Sequence, residues 1–138
     1  MQTSRRELAA MIALSSAGMV HSSTDANTSS APSRLVHHVF FWLRRPGNAE
    51  DRDQLIAGLR TLKAIPVIRD LQVGIPANTE KRDVVDNSFD VSELIVFDDA
   101  ADQKIYQDHP IHQAFVEKAG YLWQKVLVYD MQLLIAPG

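Results

Sequence analysis

The segment Leu-Val-His-His-Val-Phe-Phe-Trp-Leu at residues 35–43 constrains the fold of this 138-residue chain more than any other feature. It is a nearly continuous apolar and aromatic run, which is typical of a β-strand buried on both faces. Successive side chains of a strand point to opposite faces of its sheet. One face therefore carries His37, Val39, Phe41 and Leu43, and the other carries Val36, His38, Phe40 and Trp42. Both faces of the sheet that contains this strand require a cover.

A helix is predicted directly after this strand. The turn-forming segment 44–47 (Arg-Arg-Pro-Gly) ends the strand, and Asn48 is a good helix N-cap. Acidic residues follow in the first turn, where the helix dipole favours negative charge. Pro66 ends the helix after Ile65, because proline cannot continue a helix. The apolar residues at helical spacing in between are Leu55, Ile56, Leu59 and Leu62.

The second half of the chain continues the same alternation of strands and helices. Strands are predicted at 68–75 and 89–97 around a polar loop at 76–88. Asp98 and Asp99 can cap a second helix from Ala100, with Ile105 and Tyr106 on its apolar side. Pro110 interrupts this helix, and we expect the ring of His109 to bond a carbonyl group at the junction. A further helical segment from Ile111 and a last strand at 126–134 complete the chain.

The order β-α-β-β-α-β predicts an α+β, ferredoxin-like sheet with both helices on one face. The helices can bury only one face, although the first strand is apolar on both. The sheet of a two-fold partner is the simplest cover for the other face. The pattern therefore predicts a homodimer, in which two such sheets form a dimeric α+β barrel.

Residues 1–31 read as an export signal and a disordered linker rather than as part of the fold, which leaves 32–138 as one domain. The paired Arg5-Arg6 precedes an uncharged apolar run at 8–20, and a polar stretch follows at 21–33. The pair is similar to a twin-arginine signal, with the general secretory route as the alternative. The run of about 13 residues is shorter than the roughly 20 that span a bilayer. We expect a periplasmic or secreted protein without a stable membrane anchor, and a cytosolic protein with a disordered tail is the alternative.

Charge and cysteine content exclude several function classes. The formal net charge is -3, and no block of like charges occurs, which argues against nucleic acid as a partner. The chain has no cysteine, so it has no disulfide, no thiolate metal ligand and no cysteine nucleophile.

Several motifs, taken in order, make the chain resemble the Dabb family, the stress-responsive A/B barrel domains, over most of residues 35–131. They are the opening strand with its histidine pair, Ala64-Ile65-Pro66, Val73-Gly74, the run Tyr-Gln-Asp-His-Pro-Ile-His at 106–112, and Val-Leu-Val-Tyr-Asp at 126–130. The resemblance implies a dimeric α+β barrel with a cavity between each sheet and its helices. The loop at 80–90 is longer and more polar than the family minimum, and plant members lack the export signal.

The candidate site residues are His38, Tyr106 and His112. A strand histidine and a helix histidine can face one cavity with a tyrosine hydroxyl nearby, and imidazole exchanges protons near neutral pH. Some plant members of the family are polyketide cyclases, and the resemblance implies that His112 is the base while Tyr106 and His38 orient the substrate. The hypothesis is cofactor-free acid/base catalysis of cyclisation, isomerisation or elimination on a small organic ligand.

Other interpretations remain open at this point. The same residues can be structural in a non-catalytic homodimeric stress-response or binding module. His109 and His112 have a spacing that chelates metals on a helix, and Glu93 could join them, but no convincing third ligand follows, so no metal or cofactor is predicted. Haem binding is suggested only by analogy with other dimeric α+β barrels. The loop at 82–88 is interpreted as a solvated connection between two strands, with closure over the cavity as the alternative. Trp42 and Trp123 are candidates for the dimer contact or for the aromatic wall of the cavity.

Overall fold

A computed structural model describes residues 34–134, and the predicted export signal and linker at 1–31 lie outside these residues. The elements are β1 (Leu35–Leu43), α1 (Ala49–Thr61) with a 3-10 turn (Leu62–Ala64), β2 (Asp70–Gly74), β3 (Val91–Phe97), α2 (Ala100–Asp108), α3 (Pro110–Ala119) with a 3-10 turn (Gly120–Leu122), and β4 (Trp123–Gln132). In the part of the chain described, no helix is long and apolar enough to cross a membrane.

The four strands form one antiparallel sheet in the order β2-β3-β1-β4, which confirms the ferredoxin-like α+β fold. The central strand β1 pairs with β3 on one side and β4 on the other. In this register His37 lies opposite Ile95 of β3 and Asp130 of β4. Val39 lies opposite Glu93, which in turn pairs with Val73 of β2. Residues far apart in sequence therefore share one stretch of the sheet.

The alternation predicted for β1 is confirmed by its burial pattern. Leu35 and the four odd-numbered residues after it are buried, and every even-numbered residue is half-buried. The odd-numbered face packs against the helices, and its core is completed by leucines of α1 and by β3. The even-numbered face carries no helix, so its apolar side chains are only partly covered within the described residues.

Helix α1 begins where the sequence predicts it. The Asn48 side chain accepts a hydrogen bond from the Asp51 amide at 2.9 Å, and Leu55 and Leu59 are fully buried. A close approach to α3 explains Gly58, because a Cβ there would lie 3.2 Å from the Phe115 ring. Phe115 is thus held against α1 on one side while its other side faces the sheet.

Asp90 fixes the turn between β1 and α1. Its two carboxylate oxygens each accept a backbone amide at 2.9 Å, from Leu43 and from Gly47. Gly47 has φ of 76°, in the left-handed region that favours glycine. The turn before α1 is therefore tied to the end of the loop that leads into β3.

Helices α2 and α3 meet at His109 and Pro110. The His109 ring accepts a hydrogen bond from the Ile111 amide at 3.1 Å and so caps α3, rather than bonding a carbonyl as expected. The reason is that proline occupies the first helical position and has no amide N–H, so the amide of the next residue is the one that needs an acceptor.

Several element boundaries differ from the sequence-based expectation. β2 and β3 begin two residues later than predicted, while β4 begins three residues earlier, because a 3-10 turn leads directly into it. Ile105 is half exposed although it was expected on the apolar side of α2. The reason is that Tyr106, about 100° further around the helix, is the residue that faces the sheet.

Candidate functional site

A cavity of about 190 Å³ lies between the sheet and helices α2 and α3. Most of its wall is apolar, and the titratable groups in it are two histidines, a tyrosine and a glutamate. The lining residues are His37, Val39, Phe41, Glu93, Tyr106, Gln107, His112, Phe115, Val116, Trp123, Val126 and Val128. A few polar groups in an apolar wall are the usual composition of a small-molecule site.

His37 enters the cavity from β1 and is oriented by Asp130. Its Nδ1 lies 2.5 Å from Oδ1 of Asp130, its direct partner across the β1–β4 ladder. The histidine side chain is buried, whereas about half of the aspartate side chain is exposed. An ionised carboxylate only accepts hydrogen bonds, so Nδ1 carries the proton. With Nδ1 engaged in this way, Nε2 is an acceptor when the ring is neutral and a second donor when the ring is protonated.

Tyr106 lies between the two histidines. Its ring centroid is 5.8 Å from that of His37 and 4.7 Å from that of His112. Its hydroxyl donates a hydrogen bond to Oε1 of Glu93 at 3.4 Å, and both side chains are buried. Burial, together with the adjacent Glu93, raises the pKa of Tyr106 above its ordinary value, so the hydroxyl stays protonated.

Glu93 is the buried carboxyl group of the site. It has 2% exposure, and its Oε2 atom has no hydrogen-bond partner among the described residues. Burial raises the pKa of Glu93 to about 8, against a smaller opposing effect of the Tyr106 hydrogen bond. The side chain is therefore mostly protonated at neutral pH.

His112 enters from α3 and is uncharged at neutral pH. Burial and the nearby His37 lower its pKa, and a backbone hydrogen bond with Gln107 opposes them. Because this hydrogen bond involves one ring N–H, the other nitrogen of the neutral ring is an acceptor. Two imidazoles with different partners therefore share one apolar cavity.

A sequence model of the stress responsive A/B barrel domain, Dabb, matches residues 35–133. The chain belongs to the Dabb family. The match confirms the resemblance that the motifs indicated, and it covers every element of the sheet. Among curated proteins, none matches the chain in sequence.

Solved structures of the same fold come from several organisms. A Dabb family protein with a ferredoxin-like fold from Mesorhizobium loti is 22% identical, with a TM-score of 0.58 over 77% of this chain and 99% of that one. A dimeric ferredoxin-like protein from Bacteroides fragilis is 23% identical, with a TM-score of 0.58 over 72% and 96%. The hydroxynitrile lyase of Passiflora edulis is 18% identical, with a TM-score of 0.64 over 78% and 100%.

The structure brings together Tyr106 and His112 but not His38. His38 lies on the sheet face away from the helices, where its ring packs 4.3 Å from that of Phe40, centroid to centroid. The expectation that His38 shares their cavity is therefore corrected, because the alternation of β1 sends its neighbour His37 there. In this member of the Dabb family, the strand histidine of the cavity is His37.

The loop at 82–88 and the two tryptophans divide between the two faces of the sheet. Trp123 lines the cavity, whereas the Trp42 indole N–H donates to the Ser88 hydroxyl at 3.1 Å on the other face. Asp86 and Phe89 border a hollow on that other face, beside Trp42. The loop therefore does not close over the cavity, because Ser88 ties it to the opposite side, and of the two interpretations of this loop, closure is the wrong one.

Sequence reasoning missed Glu93, which lines this Dabb cavity, and Asp130, which orients His37 from outside it. Asp130 belonged to a family motif, but its partner depends on the β1–β4 register, which no local pattern contains. Glu93 was considered only as a metal ligand. Its signal was present, because it interrupts the apolar series Val91, Ile95 and Phe97 on one face of β3.

Within residues 34–134, no group of three or more His, Cys, Asp or Glu side chains is arranged to hold a metal ion. His109 caps α3 instead of joining His112. The polar contacts that the cavity offers a ligand therefore come from its hydrogen-bonding side chains.

Proposed function

We propose that this Dabb protein catalyses proton transfer on a small organic molecule without a cofactor, using His112 and His37 as the exchanging groups. The observation that carries the proposal is the pair of imidazoles in one apolar cavity, each with one nitrogen engaged. His37 is held by the Asp130 carboxylate, and His112 by the Gln107 backbone. Their remaining nitrogens are available to a ligand.

The two histidines have complementary environments. His112 has no acidic partner and a lowered pKa, which suits a neutral base. His37 has a carboxylate at 2.5 Å, which partners its imidazolium whenever the ring takes up a proton. A histidine without an acidic partner and a histidine oriented by a carboxylate can divide the roles of base and acid in an active site.

The proposed reaction makes or breaks a bond next to a carbonyl group. In the cleavage direction, His112 removes the proton of a hydroxyl group, the adjacent carbon–carbon bond breaks, and its electron pair leaves with the departing carbanion. Protonated His37 gives that carbanion a proton, and exchange with solvent restores both rings. The hydroxyl of Tyr106 lies between the rings and orients the substrate. The hydroxynitrile lyase of Passiflora edulis, which shares this fold, supports this class of reaction.

The size of the cavity limits the substrate. Cavities of about 150 Å³ accommodate benzene, so about 190 Å³ accommodates a ring with one short substituent. Mandelonitrile and the aldol adduct of benzaldehyde with acetaldehyde are suitable test substrates. Release of benzaldehyde from either, measured by absorbance, tests the proposal directly.

The decisive comparison uses three variants of the same protein. H112A and H37A should each lower kcat by at least about a hundredfold, in the range of general acid/base contributions. H38A should leave kcat within about twofold, because His38 lies on the opposite face. Equal turnover in wild type, H112A and H37A would contradict the proposal.

A non-catalytic stress-response module, in which the same residues are structural, is the second candidate, and the cavity volume favours it. About 190 Å³ is below the roughly 300 Å³ at which typical ligand pockets begin. On this candidate, the test substrates are neither bound nor turned over. H112A and H37A would then alter only the stability of the protein.

We also propose that the chain forms a homodimer through the sheet face away from the helices. This face exposes Tyr129 and Met131 of β4 beside the half-buried Phe40 and Trp42 of β1. Several solved structures of the same fold are described as dimeric. F40D should convert the protein to a monomer in native mass spectrometry, whereas I105D on the exposed side of α2 should not.

A further inference from the structure

Glu93 is the polar group of the cavity that the proposed reaction does not use. It lies in the middle of β3, and its direct neighbours across the sheet are Val39 and Val73. Tyr106 hydrogen-bonds to Oε1, while Oε2 has no partner among the described residues. A buried polar atom without a partner is uncommon in folded proteins and calls for an explanation.

The surroundings of Glu93 contain no unpaired counter-ion for a carboxylate, because the His37 ring is already paired with Asp130. The titratable groups facing it are His37 from β1, Tyr106 from α2 and His112 from α3, and β2 offers only Val73. No lysine or arginine lines the cavity. A buried carboxylate without a counter-ion is strongly disfavoured, so the group takes up a proton instead. The raised pKa of Glu93, about 8, agrees with this reasoning.

The position of that proton follows from the hydrogen bonds. Tyr106 donates to Oε1, so Oε1 acts as the acceptor. In a carboxylic acid the other oxygen then carries the proton, and here that is the unpartnered Oε2. Glu93, a lining residue of the cavity, therefore carries an O–H donor with nothing in the described chain to receive it.

We propose that Glu93, as a neutral acid, is a specificity-determining residue whose Oε2–H donates to an oxygen acceptor of the ligand, so that the cavity selects small carbonyl compounds over hydrocarbons and amines. The inference rests on the proposed function only in taking this cavity as the ligand site. It assigns to Glu93 recognition of the ligand and not proton transfer. A site with a buried donor discriminates against ligands that cannot receive it, because the donor then stays unpaired.

The test compares ligands that differ only at the acceptor. Acetophenone and α-methylstyrene have nearly the same shape, and benzylamine offers a cation instead. Binding of each to the wild-type protein, E93Q and E93L is measured by isothermal titration calorimetry at pH 6.5. Glutamine keeps both an acceptor for Tyr106 and an N–H donor, whereas leucine keeps neither.

Wild type should bind acetophenone about tenfold more tightly than α-methylstyrene, the larger end of what one neutral hydrogen bond contributes. E93Q should keep most of this preference, and E93L should abolish it while still binding α-methylstyrene. Infrared difference spectra should show a protonated carboxyl band in wild type that is missing in E93Q. Both variants remove a buried acid, so we expect them to fold, and E93Q provides the comparison if E93L does not.

Three results would overturn the inference: wild type that does not bind acetophenone, an acetophenone preference that persists in E93L, or benzylamine as the best ligand of wild type. The last result would mean that Glu93 is ionised and binds cationic ligands. Failure of the proposed function is distinguishable from these results. If the ketone preference depends on Glu93 but no substrate is turned over, the role of Glu93 in recognition is supported and the catalytic proposal is contradicted. If turnover depends on His112 while E93L has the selectivity of wild type, the catalytic proposal is supported and the role of Glu93 is contradicted.

Discussion

His37 and Asp130 lie directly opposite each other on β1 and β4, and their side chains meet at 2.5 Å between Nδ1 and Oδ1. The contact joins residues that are 93 positions apart in the chain. It fixes the tautomer of a histidine in a small apolar cavity, and it leaves the carboxylate half exposed. A substitution of Asp130 therefore tests how the His37 ring is oriented.

We expect D130N to lower kcat by at least about tenfold with little change in KM. The amide can present an N–H to Nδ1 and so favour the wrong tautomer, as in other carboxylate–histidine pairs. Steady-state kinetics measures the effect, and ¹⁵N NMR of the His37 ring reports the tautomer. D108N is the matched control, because Asp108 pairs with Lys104 on the exposed side of α2. An unchanged tautomer in D130N would contradict the assigned role of Asp130.

The buried Glu93 should make the protein less stable as pH rises. Its pKa is 4.5 in the unfolded chain and about 8 in the folded one, so the folded state binds the extra proton between these values. The unfolding free energy therefore falls from pH 4.5 to about 8 and levels off above that. At about 1.4 kcal/mol per pKa unit, the loss is several kcal/mol, on the order of 5 kcal/mol at most.

Urea unfolding at pH 5 and pH 8.5 measures this dependence. E93Q should lose much less stability between the two pH values than wild type does. E117Q, on the exposed side of α3, is the matched control and should behave as wild type. If E93Q and wild type lose the same amount, Glu93 is not protonated in the folded state.

The pKa of His112 should lie below 6.5 and should depend on His37 but not on His38. Burial and the charge of His37 both lower it, so replacing His37 by glutamine should raise it. Because the folded pKa is lowered, His112 also costs stability as pH falls below 6.5. NMR titration of the ring protons gives the pKa in wild type, H37Q and H38Q. An equal shift in H37Q and H38Q would contradict the placement of the two rings on opposite faces.

The export prediction is independent of the cavity and concerns residues outside the described part of the chain. We expect replacement of Arg5 and Arg6 by lysines to retain the full-length chain in the bacterial cytoplasm, because the twin-arginine route reads this pair. Fractionation of expressing cells measures the distribution. Replacement of Arg60, an exposed arginine of the folded domain, by lysine provides the control substitution. Export that is unaffected by the lysines would favour the general secretory route.

The sequence was sufficient for the sheet and for its order of elements. The alternation in β1, the Asn48 cap and Pro110 are local signals, and each corresponds to an observed feature. The observed start of β4 differs from the predicted one, because a 3-10 turn at 120–122 leads directly into the strand. Such turns depend on packing after the strands have paired, and local propensity does not encode them.

The site was predicted less completely, for a physical reason that β1 illustrates. The pattern shows that His37 and His38 face opposite ways, but it does not show which one the helices cover. That choice depends on the whole sheet, as does the pairing of His37 with Asp130. Tyr106 and His112 were found because both belong to one short motif on adjoining helices.

The alternation of β1 also has an evolutionary consequence. Its odd-numbered residues build the cavity wall, and its even-numbered residues form the face proposed for self-association. Side chains on opposite faces of a strand do not touch, so the effects of substitutions on them should be nearly additive. One strand can therefore accumulate changes in ligand preference while its assembly stays constant, or change its assembly while the ligand preference is kept.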